Sequence, residues 1–365
     1  LRHFVRTKVD ILKRSLGKSN EENSLRRLPL VSVVVVNHNR ASLLEDCLNS
    51  LLMQTYPNLE LVVVDNGSSD RSCEFVSSLS DDRIRLIKLE ENTGFGGGCN
   101  TGIRQSKGEL VALLNNDAVA QPDWIEKLAG AMTAHSVGMG AAKILFTGSN
   151  LIDKAGHLIY CDGQNRGRGT GELDQGQYDD LEETIFPDGC AAMYRREMLE
   201  ETGGFDEDFF AYADDADLGL RGRLLGWECV YVPDAVVSHR HSSTTGSYSI
   251  EKIYWVERNR FWLAVKSFPV PLLFLNPLFT SYRWAWNLQA ALFGRGAAGN
   301  FRRGHSLWLL TKTIFRAYWD GLRGLWKFRK KRERIRRSRR LSDFAFYRLL
   351  WRFRISARVL AVRDR

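Results

Sequence analysis

The run VSVVVVN at residues 31–37 constrains the fold more than any other stretch. A continuous β-branched segment without polar alternation suits a strand buried on both faces, as at the centre of a parallel sheet. Similar apolar runs recur as LELVVVD (59–65), RIRLIKL (83–89) and ELVALLNND (109–117). Helical patterns separate them. Leu44, Leu48, Leu51 and Leu52 share one side, a helix is expected over 69–79 and a short one near 97–106, and Pro122 and Trp124 open another. This alternation predicts an α/β domain with a mostly parallel, Rossmann-like central sheet flanked by helices. From about 139 the pattern is less regular. MGAAKILF, GHLIYC and CAAMYRR (190–196) read as strands, 162–180 as a mobile glycine-rich loop, and the chain beyond 250 as helical and rich in Trp and Arg.

In such sheets ligands bind beyond the carboxyl ends of the strands. Here those ends read Asn37-His38-Asn39, Asp65-Asn66-Gly67-Ser68 and Asn115-Asn116-Asp117. Each also has a plainer reading. Asn-Gly and Ser-Ser-Asp favour turns and caps, yet a strand-end carboxylate such as Asp65 can bond a ribose or base. NTGFGGGCNTG (92–102) is either a flexible loop or a close backbone approach to a ligand. Asp117 either ends a turn or serves as one of the one or two carboxylates a Mg²⁺ or Mn²⁺ diphosphate complex needs. Asp214, Asp215 and Asp217 suit a helix N-terminus, but the aromatics before them also suit a general base in a partly apolar pocket. His239 and His241 follow an apolar run and are either structural or metal ligands.

Charge is unevenly distributed. Residues 321–365 carry 17 Lys+Arg against 3 Asp+Glu, and residues 1–30 carry 8 against 3. The stretch 31–320 is acidic, with 27 against 37. Basic ends on an acidic body suit an anionic membrane surface or a nucleic acid. The 6 cysteines are scattered without a C-x-x-C pair, which argues against a disulfide framework or a zinc site and fits a reducing compartment. The start of the chain has no apolar signal segment. SFPVPLLFLNPLFTSY (267–282) is short for a membrane span and holds three prolines, so it reads as buried or interfacial.

In this order, VSVVVVNHNR, LEDCLNSLLMQTYPNLELVVVDNGSSD, NTGFGGGCNTGI, LLNNDA and GGFDEDFFAYADDADLGLR resemble the family 2 glycosyltransferases over about 31–245. Within that group they are most similar to the bacterial rhamnosyltransferase-like branch. The resemblance implies a GT-A fold and inverting transfer of a sugar from a nucleotide sugar, with a divalent metal, Mg²⁺ or Mn²⁺. It implies a nucleotide-binding half at 31–120 and an acceptor half at 121–245. A basic segment at 1–30 and a helical region at 246–365 flank them, and the interleaved Trp, Leu and Arg of the latter suit helices lying on an anionic bilayer.

By position, Asn37, Asn39 and Asp65 would face the nucleotide. Asn92, Gly94, Gly96, Gly97 and Asn100 would line the donor, and Asn115 would lie against the nucleotide. Asp117 would bind metal and donor, with His239 beside the metal. Asp215 would be the general base, with Gly189, Asp214, Asp217 and His241 in secondary or acceptor-side roles. Two positions depart from the family pattern: Asp214 stands where Glu is usual, and His38 where Tyr is frequent. The implied donor is first dTDP-rhamnose, and the acceptor a lipid-linked saccharide or polysaccharide of the bacterial cell surface. The implied place is the cytoplasmic side of the membrane, peripherally bound through the basic C-terminal region. No nucleic acid is expected. The alternatives are an NAD-dependent enzyme, suggested by the glycine segment, a nucleic-acid binder, suggested by 328–340, and a protein that binds sugar nucleotides without transferring them.

Overall fold

The computed structural model describes residues 28–240, 249–296, 298–300 and 306–363. Its framework is a nine-stranded sheet. The strands are β1 (Val31–Asn37), β2 (Leu59–Asn66), β3 (Ile84–Leu89), β4 (Leu110–Leu114), β5 (Ala118–Ala120), β6 (Val137–Phe146) and β7 (Ile152–Ala155), with β10 (Ala191–Arg195) and β11 (Glu228–His239). β8 (His157–Ile159) and β9 (Asn165–Gly167) pair as a separate hairpin. The helices over the sheet are α1 (Ala41–Leu52), α2 (Ser72–Ser78), α3 (Gly94–Gln105), α4 (Trp124–Ala131), α5 (Arg196–Thr202) and α6 (Asp214–Leu224). Beyond β11 come α7 (Ile250–Ser267), α8 (Val270–Leu292), α9 (Leu307–Ser338), α10 (Asp343–Arg352) and α11 (Ala357–Val362).

The strand order is β3-β2-β1-β4-β10-β6-β11-β5, with β7 on β6. β1, β2, β3 and β4 are parallel, and β10 is antiparallel to both β4 and β6. Two reversals restore the original direction, so β6 and β11 end at the same edge as β1, β2 and β4. The residues just before β10 and those at the start of β7 meet them there. The topology thus brings Asn37, Asp65, Asn115 to Asp117, Asp188-Gly189 and His239 to one edge. The valines of β1 and β2, apart from the half-buried Val36, are 0–1% exposed, as their unbroken apolar runs require. β3, at the edge, is only half-buried.

Several expectations change. The helix expected near 97–106 begins at Gly94, so the glycine segment is the first turn of α3 and not a loop. A Cβ on Gly98 would lie 2.5 Å from Val36, and one on Gly102 2.2 Å from Val34. These glycines let α3 lie directly on the sheet. The stretch 162–180 is not an unstructured loop. It contains β9, and its Asp174 and Asp179 accept from the buried Lys143 ammonium. The run 109–117 is a strand only to Leu114, after which Ala118 N–H donates to Asn115 O and closes a turn.

The boundary expected at 245 divides no separate core. Phe186, Phe209, Leu220 and Leu224 pack in one cluster with Trp262, Phe268, Phe328, Phe346 and Phe353. The Trp262 ring stacks on Phe328 at 4.3 Å, and its Nε1 donates to Gly321 O. Beneath lies a buried ionic knot. Arg283 donates to both oxygens of Glu257 at 3.0 and 2.9 Å and to Asp162 at 2.7 Å. Arg260 donates to Asp162 O at 2.8 Å. The knot ties α7 and α8 to the turn between β8 and β9. Segment 267–282 spans the α7–α8 junction and much of α8, whose outer face exposes Phe274, Leu278 and Tyr282. Among the described residues no helix is long and apolar enough to cross a membrane.

Candidate active site

A row of polar contacts, joined in two places only by the peptide chain itself, runs along the strand-end edge. Asp65 accepts from Ser68 N–H at 3.1 Å and from Asn37 Nδ2 at 3.5 Å. The Asn37 carbonyl accepts in turn from Asn116 Nδ2 at 2.7 Å. Asn116, without a role in the sequence, therefore joins β1 to the turn after β4. Asn115 N–H donates to Cys190 O at 2.9 Å, tying that turn to β10. Asn39 accepts from Ser69 N–H at 2.8 Å and holds the β1 and β2 loops together.

Next in line, His239 Nε2 lies 3.3 Å from Asp117 Oδ1, and its Nδ1 donates to Asp153 at 2.8 Å. All three are buried. With Nδ1–H committed to Asp153, Nε2 of a neutral ring turns a lone pair toward the Asp117 carboxylate. Two lone pairs at that distance need a proton or a cation between them. Burial opposes charge on His239, but Cys190, Asp117 and Asp153 raise its pKa well above the ordinary value. An imidazole nitrogen held by a carboxylate and facing a second carboxylate fits a divalent cation. His241 lies outside the described residues.

Lys154 bonds Asp188 at 2.8 Å and lies 3.8 Å from Asp153, so the chain continues across β7. His157 Nε2 donates to the same Asp188 carboxylate at 2.9 Å. Burial alone would raise the Asp188 pKa, but Lys154 and His157 hold it well below the usual carboxylate range. Asp188 Oδ1 accepts from Cys190 N–H, and the next residue, Gly189, donates its N–H to Asp215 Oδ2 at 3.1 Å. Among the described residues, His157, Asp188 and Asp215 are the one group of three that could share a metal ion, with ligand atoms within 4.8 Å of one another. The Lys154 ammonium already balances Asp188 there and opposes a cation.

Asp214 and Asp215 differ in environment. Asp214 is buried, and burial together with the Asp215 charge pushes its pKa up to about 8. Burial and then Asp188 also raise Asp215, but Gly189 N–H and Ala216 N–H bond its two oxygens. Those donors favour the ionised form. Asp214 therefore keeps the shared proton and Asp215 the charge, the division a base beside a neutral acid requires.

The loop before them is strained. Phe210, Tyr212 and Ala213 have φ of 64°, 67° and 62°, and such left-handed residues cost roughly 1–3 kcal/mol each. Asn259 of α7 compensates by donating to the carbonyls of Phe209, Ala211 and Tyr212 at 2.7–2.9 Å. Phe95 N–H donates to Phe210 O. A Cβ on Gly94 would sit 2.4 Å from that oxygen, and its φ of +77° also calls for glycine.

Other expected residues fall elsewhere. Asn100 turns away from the edge: its amide donates to Phe205 O and Glu207, and its carbonyl accepts from Phe205 N–H. Gly96 and Gly97 face Phe205 and Thr93, where a Cβ would come within 3.2 and 2.7 Å. Asn100 and Gly96 hold α3 against the 203–210 loop, and Gly97 packs on Thr93 at the start of its own helix. Asp217 is fully buried and paired with Arg221 and Lys266, so it is a strut rather than an acceptor group. Asn92 does lie at the edge, held by Asn66, which also bonds Thr93 N–H and Gly94 O. Asn66, Asp153, Lys154, His157 and Asp188 escaped the sequence reading. Asn66 was visible as the residue after a strand-end Asp. The others lie on short strands and a turn whose place at the edge only the topology fixes.

Residues 32–203 match the family model described as Glycosyl transferase family 2. A glycosyltransferase of Rickettsia prowazekii is 31% identical over 193 residues, covering 53% of this chain and 58% of that protein. An O-antigen biosynthesis protein of Myxococcus xanthus is 29% identical over 269 residues, covering 70% of this chain and 21% of that protein. The chain thus spans less than two thirds of either relative. Among solved structures, a mannosyltransferase from Pyrobaculum calidifontis in complex with GDP-Man and Mn²⁺ covers 86% of each chain, with a TM-score of 0.51 and 20% identity. At that identity the likeness speaks for the fold alone, a mixed α/β GT-A arrangement. The nicotinamide and nucleic-acid alternatives gain no support. Part of the basic run is also used internally, since Lys331 bonds Asp206 and Asp208, and Arg332 donates to Val265 O and Phe268 O.

Proposed function

We propose that this chain, whose residues 32–203 match the Glycosyl transferase family 2 model, is a family 2 glycosyltransferase and a metal-dependent, inverting one. It moves a sugar from a nucleotide sugar to a hydroxyl of a cell-surface saccharide. The observation that supports the reading is the row of polar contacts from Asp65 to Asp215. It sets the Asp65 carboxylate, the His239–Asp117 pair and the hydrogen-bonded Asp215 along one edge, where we assign them to nucleotide, metal and base. Asp65, Asn37, Asn39, Asn92 and Asn115 orient the donor. Asp117 and His239 are the residues that would hold Mg²⁺ or Mn²⁺, which supplies charge neutralisation for the departing diphosphate. Asp215 accepts the acceptor hydroxyl proton as that oxygen bonds the anomeric carbon. The bond from that carbon to the diphosphate breaks on the opposite face, so the configuration inverts. Asp188, with Lys154 and His157, fixes the Gly189 amide that orients Asp215.

The mannosyltransferase neighbour was solved with GDP-Man and Mn²⁺, which supports a nucleotide-sugar donor and a divalent ion. dTDP-rhamnose remains the first donor to test, on the motif resemblance. Asp117→Ala is expected to weaken Mn²⁺-dependent donor binding about tenfold or more, the effect of losing a charge-assisted contact. Titration calorimetry with and without Mn²⁺ measures this, and equal affinities would remove Asp117 from the metal site.

The acceptor we propose is lipid-linked and met at the inner face of the cell membrane. Trp308, Phe315, Trp319 and Trp326 on α9, and Phe344 and Trp351 on α10, are 50–75% exposed, with Arg323, Arg329 and Lys330 among them. Aromatics interleaved with cations suit the headgroup layer of an anionic bilayer. Removing 321–365 would take Phe328 and Phe346 out of the core, so point changes are the sounder test. Trp319→Ser with Trp326→Ser and Trp351→Ser is expected to abolish flotation with phosphatidylglycerol vesicles at unchanged thermal stability. Undiminished flotation would sink the idea.

A further inference from the structure

A cavity of about 240 Å³ lies away from the strand-end edge, between the β8–β9 hairpin and the end of the chain. Arg166, Arg168, Arg354 and Arg363 all line it, and none of the described residues lining it is acidic. Leu158 and Arg166 pair across the hairpin, and Arg168 follows two residues on. By strand alternation these side chains share one face, while His157 points to the other, toward Asp188. The floor is built by residues 353–355, which extend the hairpin: Ile159 N–H donates to Phe353 O, and Ile355 N–H to Ile159 O.

Four guanidinium groups around one small space repel each other, and Arg166 donates to Arg363 O at 2.8 Å. Glu172 bonds Arg363, and it also accepts from Tyr178. Arg168 is half-buried, which lowers its pKa, and among the described residues its guanidinium donates to Ala155 O alone, at 3.4 Å. Arg354 donates to Trp351 O and stacks on the Trp351 ring at 3.9 Å. Neither of these two meets a carboxylate among the described residues. Ser356 accepts from Val359 N–H and keeps its own hydroxyl hydrogen to donate. A surplus of planar, always-charged donors converging on a cavity calls for an anion with several acceptor oxygens and more than one charge.

We propose that this cavity binds a phosphate group, as a monoester or a diphosphate, at a site separate from the strand-end edge. A phosphate there forms bidentate bonds with Arg168 and Arg354 and neutralises the cluster. Because Arg354 rests on the exposed Trp351, the mouth of the cavity opens beside the aromatic face of α10. Two sources share this chemistry: a soluble phosphate compound and a lipid headgroup. The inference stands whether or not the chain transfers a sugar, since no donor-site residue takes part.

The test uses the full chain in EDTA, which removes metal-dependent diphosphate binding at Asp117 from the signal. Inorganic pyrophosphate is titrated by calorimetry. Flotation is compared on phosphatidylcholine vesicles carrying phosphatidic acid or phosphatidylglycerol. Saturable pyrophosphate binding that falls about tenfold in Arg168→Gln and in Arg354→Gln indicates a site open to soluble phosphate. Preference for phosphatidic acid, lost in both variants while phosphatidylglycerol binding persists, indicates the headgroup source. Either result supports the site. No binding of pyrophosphate and no phosphatidic acid preference in the unmodified chain overturns it, as does binding unchanged by the substitutions. Arg354 is exposed, so Arg354→Gln decides alone if Arg168→Gln fails to fold.

Discussion

Asp215→Asn is expected to lower kcat by about 10²–10⁴-fold, the usual contribution of a general base, while leaving donor affinity intact. The asparagine keeps the shape, and its single amide oxygen can still accept from one of the two N–H groups, Gly189 or Ala216, that bond the carboxylate. It cannot take a proton. The pH profile separates this role from a structural one. Burial and the Asp188 charge raise the Asp215 pKa, so the base protonates at a higher pH than an ordinary aspartate. In the unmodified chain kcat/KM should therefore fall as pH drops through that raised value. The residual activity of the variant should lack this limb. Near-normal turnover in Asp215→Asn, measured as nucleotide release across sugar nucleotides, would remove Asp215 from the base role. Asp214 sharpens the test. With its pKa pushed up to about 8 it stays neutral through the working range, and a second charge beside Asp215 appears only as pH rises toward that value.

The second large effect is on folding. Glu257→Ala leaves Arg283 and Arg260 buried with Asp162 as their remaining carboxylate. Breaking a buried ion pair from one side costs about 3–5 kcal/mol, and the loss should appear as a lower denaturation midpoint. Activity should fall with it, because the neighbouring Arg258 and Asn259 hold the strained loop ahead of Asp214 through its carbonyls. A midpoint equal to that of the unmodified chain would mean that the knot does not stabilise the fold.

Much of residues 31–120 was legible from local pattern. The valine runs gave the central strands because burial on both faces leaves no polar alternation. The strand-end positions of Asn37, Asp65 and Asp117 followed from where those runs stop. The pattern misread what depends on contact between distant segments. Glycines at 94–98 looked like a loop because flexibility and close packing require the same missing side chain. The helix pressed on Val36 reveals which applies. Asn100 and Asp217 looked available to ligands because a sequence does not show that Phe205, Glu207, Arg221 and Lys266 already occupy them.

The sequence by itself determined the parallel strands β1 to β4, though not the antiparallel pairings of β5, β7 and β10 that make the sheet mixed, the edge at which its polar strand ends gather, and the carboxylates Asp117 and Asp215 as the residues to test. Tertiary structure alone decided that His239 faces Asp117 with its ring fixed by Asp153. It alone decided that Lys154, His157 and Asp188 stand behind Asp215, and that the C-terminal helices share its core. The physical reason is range. Strand burial and helix periodicity are set by neighbours a few residues apart. Charge pairing and proton affinity are set by groups 26 to 122 residues away, such as Gly189 for Asp215 and His239 for Asp117, which meet only when the sheet closes.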